Sequence, residues 1–60
     1  MNCLSDLKYA LIKKGQKITE FTGYRLIHKG NVYGMSQGEF YINGEIIKKK
    51  DLITKLNLKG

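Results

Sequence analysis

Four glycine-containing pairs, Thr22-Gly23, Gly30-Asn31, Gln37-Gly38 and Asn43-Gly44, cut the middle of this chain into pieces that suit hairpin strands. Glycine and asparagine tolerate the positive φ that two-residue hairpin loops need, and the twist of such loops matches the strands they join. The pieces between them, from Gln16 to Lys48, are rich in Ile, Tyr, Phe, Thr and Val, which fit a pleated, half-buried surface. The spacing therefore predicts an antiparallel β-meander of three to five short strands, five if every pair closes a two-residue loop.

Two-residue loops fix a register, because successive strand side chains point to opposite faces. On this register Phe21 faces Tyr24, Leu26 faces Met35, His28 faces Tyr33, Tyr33 faces Ile42, Met35 faces Phe40 and Phe40 faces Ile47. All lie on one face, apolar enough to be a core. The other face sets Ile18 across from Ile27 and runs on through Gly34, Tyr41 and Ile46. Glu20 opposite Arg25 and Glu39 opposite Lys48 would add favourable cross-strand ion pairs at its rim.

Helical spacing flanks the meander on both sides. Leu4, Leu7, Ala10 and Leu11 recur at three- and four-residue steps, which predicts a helix over residues 4–14. Ser5 or Asn2 is its expected cap, Lys13 and Lys14 complement the dipole at its end, and Gly15 stops it. Leu52, Ile53 and Leu56 share one side of a second, shorter helix, with Asp51 as N-cap and Gly60 as terminator. The expected fold is α+β: a two-layer domain spanning residues 1–60, the meander flanked by an N-terminal and a C-terminal helix.

The second sheet face allows two outcomes. An open antiparallel face normally carries polar side chains, so the strip Ile18, Ile27, Gly34, Tyr41, Ile46 with a charged rim has the pattern of an interaction site. Tyr41 is then the anchor, Gly34 beside it leaves a shallow recess, and Arg25 stands at the edge. Alternatively one helix covers each face, or the meander curls into a barrel, and the strip is buried.

With 60 residues, the chain can bury only a modest core, so an added partner surface would stabilise it. A lone Cys3 and a lone His28 allow neither an internal disulfide nor a tetrahedral zinc site, and no metal or cofactor is expected. Cysteine usage of this kind suits a reducing compartment. With no apolar run near the ~20 residues of a membrane span and no signal-peptide pattern, the expectation is a soluble, cytoplasmic protein without a membrane partner.

The net charge of +6 favours an acidic protein surface or a nucleic acid as partner. Arg25 is the one arginine among eleven basic residues, so any nucleic-acid contact would be lysine to phosphate and not a reading of base edges. Lys13, Lys14 and Lys17 would join Lys48, Lys49 and Lys50 in one patch if the first helix ends near the start of the second.

Residues for catalysis are sparse. His28 has no acidic neighbour on the expected register, where Lys17 and Tyr33 flank it, and a general base usually needs an orienting group. The acids Asp6, Glu20, Glu39, Glu45 and Asp51 are dispersed, and the glycines sit at turns and helix ends instead of in a phosphate loop. The order of helix, strands and helix with a lone histidine on a strand is similar to HicA-type ribonuclease toxins, which implies an RNA-cleaving activity using His28. In those toxins the histidine follows a Gly-Ser pair, whereas here Tyr24, Arg25, Leu26 and Ile27 separate His28 from Gly23. The expected function is non-enzymatic: a regulator or inhibitor that docks on a protein of a nucleic-acid-handling system, or on a second copy of itself, without a small-molecule substrate. Direct phosphate-backbone binding is the alternative, and the toxin-like nuclease a third.

Overall fold

A computed structural model describes residues 2–58. Helix α1 (Leu4–Lys13) leads into strands β1 (Glu20–Phe21), β2 (Leu26–His28), β3 (Asn31–Ser36), β4 (Glu39–Ile42) and β5 (Glu45–Ile47), and helix α2 (Lys49–Lys55) follows. The strands form one sheet in the order β1-β2-β3-β4-β5, each antiparallel to its neighbours. This is the α+β meander with a helix at either side in sequence.

The two later hairpins have the expected register, with Gly34 across from Tyr41 and Tyr41 across from Ile46. Both residues of the loops Gln37-Gly38 and Asn43-Gly44 have positive φ, as type I′ turns demand. The two earlier hairpins differ from expectation by one loop position. Between β2 and β3 the loop is Lys29-Gly30, not Gly30-Asn31, so Leu26 faces Tyr33 and His28 faces Asn31. This register frees the Asn31 side chain to accept from Asn43 Nδ2 (3.1 Å), while Asn43 Oδ1 accepts the Val32 N–H (3.0 Å). Between β1 and β2 the loop is Gly23-Tyr24, closed by Thr22 N–H to Arg25 O (3.0 Å), so Phe21 faces Leu26. Positive φ at Gly23 alone is the pattern of a type II′ turn.

Tyr24 is therefore no core residue; as a loop residue it is 90% exposed. Ile18 also changes sides. Glu20 pairs with Ile27, yet the Thr19 N–H also reaches the Ile27 carbonyl (2.9 Å). Two consecutive residues thus oppose one, as in a β-bulge, the alternation slips, and Ile18 packs on the core.

The core is Leu4, Leu7 and Leu11 from α1, Leu52 from α2, and Leu26, Tyr33 and Phe40 from one sheet face, with Phe21, Met35, Ile42 and Ile47 half-buried against it. Both helices cover that one face, so the sheet is not sandwiched. Lys49 Nζ donates to Asn2 Oδ1 (3.1 Å) at the start of both helices, and Leu58 lies with Ala10, Lys13 and Lys14 near their ends. The helices therefore run side by side in the same direction.

Helix ends follow from local chemistry. The N-cap of α1 is Cys3, without a side-chain bond, rather than Ser5 or Asn2; Asp6 in the first turn instead accepts the Asn2 backbone N–H (2.8 Å). This hydrogen bond is the main reason the Asp6 carboxyl titrates below its ordinary value. Gly15 (φ 81°) closes α1 in a Schellman motif, with Gln16 N–H to Leu11 O at 3.0 Å and Gly15 N–H to Ile12 O at 2.9 Å. The N-cap of α2 is Lys48, which places Asp51 inside the first turn, where a carboxylate complements the dipole. Asn57 (φ 55°) ends α2, and the expected terminator Gly60 lies outside the described residues.

Candidate functional site

The face that the helices leave uncovered carries one continuous feature. Across the strands runs the row Arg25, Gly34, Tyr41, Ile46, with Ile27 and Val32 forming the adjacent row. Ile46 is 60% exposed and Val32 37%. Tyr41 and Ile27 are half-buried. At the centre is a recess of about 390 Å³ bounded by Tyr24, Arg25, Val32, Gly34, Ser36 and Tyr41.

Gly34 is the floor of that recess, and the fold does not require glycine there. Its φ is not in the left-handed region, and a Cβ added to it meets nothing within 4 Å. Glycine inside a strand weakens the strand, and such positions often mark a bulge, a bend or a place where a ligand or another backbone approaches closely. At the rim, Arg25 Nη2 and Glu20 Oε2 form an ion pair at 3.2 Å between exposed side chains. The two are diagonal neighbours and not directly opposite, whereas Glu39 and Lys48 form no ion pair.

The structure thus brings together Gly34, Tyr41, Ile46, Ile27 and Arg25 of the expected site. It removes Ile18 to the core and adds Val32, Tyr24 and Ser36. The signal that could have found Val32 was the Lys29-Gly30 pair, whose glycine in the second loop position repeats the pattern of Gln37-Gly38 and Asn43-Gly44.

The lysines do not form the single expected patch, because α1 begins, instead of ending, beside the start of α2. Lys48, Lys49 and Lys50 stand at one end of the helix layer. Lys13 and Lys14 stand at the other, with Lys17 one residue beyond Gln16 of that end, and Lys29 of the β2–β3 turn and Lys55 of α2 join them. Sequence spacing gave no hint of these last two.

His28 is buried, only 3% exposed, on the core side of β2. Its Nε2 lies 3.2 Å from Gln16 Oε1, so the ring donates there. Its Nδ1 has no hydrogen-bond partner among the described residues, and the buried Tyr33 hydroxyl makes no hydrogen bond of good geometry there, although the Asn31 side chain is beside it. Burial holds the His28 pKa below its ordinary value, with the Lys29 charge adding to the effect. Burial likewise pushes the Tyr33 phenol up, the Asn31 side chain offsetting part of it. Among the described residues no carboxylate lies beside His28 to orient it as a base, and they hold no cluster of three or more metal-ligating side chains. Among them, no helix is long and apolar enough to cross a membrane.

Fold and surface together define a small α+β domain with one covered and one open sheet face. Comparison with protein-family models, with curated proteins and with solved structures finds no match.

Proposed function

We propose that this chain is a non-enzymatic binding protein, a regulator or inhibitor that docks on another protein through its open sheet face. The observation that carries this reading is the recess over Gly34, a position where the backbone accepts a side chain and none is present. A protruding apolar side chain of the partner fits between Tyr41 and Val32, with Tyr41 as the aromatic anchor and Arg25 at the rim. The excess of lysine steers the protein toward an acidic surface, such as that of a component of a nucleic-acid-handling system, with a second copy of the chain as the other occupant. A His28 ring with no acidic partner among the described residues supports a binding role over the nuclease one.

The test compares Tyr41→Ala and Gly34→Arg with the parent protein by sedimentation, nuclease-treated pull-down and thermal melting. Both variants are expected to lose association while melting within a few degrees of the parent. Full association in either, or unfolding of both, refutes the reading.

The grouping of Lys13, Lys14, Lys17, Lys29 and Lys55 supports a second reading, phosphate-backbone binding to DNA or RNA. Such binding falls steeply with salt and ignores sequence, because lysine–phosphate contacts release counterions. Association that disappears on nuclease treatment would favour it.

A further inference from the structure

The open sheet face is balanced in charge, although the chain is not. Glu20, Arg25 and Glu39 project there, Glu39 lying across from Ser36 of the recess, and Lys48 stands on the same side, one residue past the core-facing Ile47 in extended backbone. Two acids meet two bases, and Arg25 is already held by Glu20 at 3.2 Å. The positive excess sits largely on the helix layer, where α1 and α2 supply Lys8, Lys13, Lys49, Lys50 and Lys55 against Asp6 and Asp51. An acidic partner drawn by the lysines therefore meets the helix side, while the apolar strip offers it no net charge to bind.

Resting on the reading of this face as a docking surface, we infer that its occupant is a second copy of the chain, packed sheet against sheet about a two-fold axis. Such an interface is self-complementary, each copy supplying both knob and hole. In the sequential strand order, Gly34 on β3 and Ile46 on β5 lie one strand spacing, about 4.8 Å, to either side of Tyr41 on β4. An axis running along β4 between two facing sheets therefore sets Tyr41 against its counterpart and each Ile46 over the other copy's Gly34. Ile46 is 60% exposed, and Gly34 leaves room for it, since a Cβ there meets nothing within 4 Å. Because the face is balanced, two copies meet without an excess of like charge, and both lysine-rich helix layers point outward. The molecule measures 28 × 23 × 18 Å, so its broad side bounds the face at roughly 600 Å² per copy, near the lower end of specific interfaces. The dimer is accordingly weak, exchanging with monomer in the micromolar range.

The experiment is sedimentation equilibrium of the purified protein over a range of concentrations at low and high sodium chloride, with isotope-filtered NMR on a mixture of labelled and unlabelled copies. The expected result is a monomer–dimer equilibrium that holds or strengthens as salt screens the repulsion between two chains of charge +6, with contacts between the Ile46 methyls of one copy and Gly34 of the other. Ile46→Lys changes an exposed side chain and Tyr41→Ala removes the central contact; each is expected to weaken dimerisation by about tenfold while keeping the circular dichroism of the parent. Protein that stays monomeric at NMR concentrations, a dimer that salt dissolves, a dimer without the Ile46–Gly34 contact, or one that both folded variants retain overturns the inference. The docking reading fails separately. A monomeric parent that still holds another protein, and loses it on Tyr41→Ala, overturns the dimer alone, whereas a face that holds neither a second copy nor another protein overturns both.

Discussion

Consider the replacement Gly34→Val. The backbone at this position has no positive φ, and a new Cβ meets nothing within 4 Å, so the folded state offers the branch point of a valine open space. Replacing a permissive glycine removes conformational freedom from the unfolded chain, which stabilises by about 0.4–1 kcal/mol. The β-branched side chain also stands directly across from Tyr41, a cross-strand pairing that contributes about 0.2–1 kcal/mol. Together the change is about 1 kcal/mol, and in a domain of this size that raises the melting temperature by roughly 4–8 °C. Thermal unfolding followed by circular dichroism measures it, with Gly34→Ala as a smaller step in the same direction. An unchanged or lower melting temperature would show that the strand needs its glycine. The same valine fills the recess, so the stabilised protein is expected to associate less well with its partner. A variant both more stable and fully competent would remove Gly34 from the docking surface.

Two more outcomes can be measured on the isolated protein. Asn43→Ala removes the exposed side-chain bonds to Val32 N–H and Asn31 Oδ1 and forces alanine to φ near 51°, so it is expected to cost about 1–2 kcal/mol in urea unfolding, chiefly from the left-handed backbone; a loss under about 0.3 kcal/mol would contradict the bridging role. Because burial holds His28 below 6.5 in the folded state, the unfolded chain binds more protons below that pH. Its contribution to stability is full above pH 6.5 and is lost as pH falls through the lowered folded value, and His28→Gln is expected to flatten this dependence.

Most of the architecture was legible because hydrophobic period and turn chemistry pointed the same way. Asn43-Gly44 and Gln37-Gly38 each offered one plausible two-residue loop, and the hairpins they close have the expected register. Gly30 offered two, with Lys29 before it and Asn31 after it. Asparagine has the stronger turn preference, but Asn31 is held in β3 by the Asn43 side chain, a contact twelve residues away that no local pattern reveals. The same limit hid the bulge at Thr19, which sends Ile18 to the core. Of the candidate site, Gly34, Tyr41 and Ile46 were readable because they lie on the two correctly registered hairpins. Whether their face was open depended on both helices choosing the same side of the sheet. The direction of α2 beside α1, which separates the lysines into two groups, is likewise a tertiary outcome.

The sequential strand order also constrains the way the chain reaches its native state. Every strand pairs only with the strand before or after it in sequence, so each hairpin closes over a short loop and contact order within the sheet is low. Hairpins of this kind form on a microsecond scale. The apolar layer they must be sealed against comes from both sides of the meander in sequence, Leu4, Leu7 and Leu11 before it and Leu52 after it. On the ribosome, the emerging meander therefore waits, with Tyr33 and Phe40 only partly covered, until residue 52 has cleared the exit tunnel, and cooperative folding is expected only from that point on.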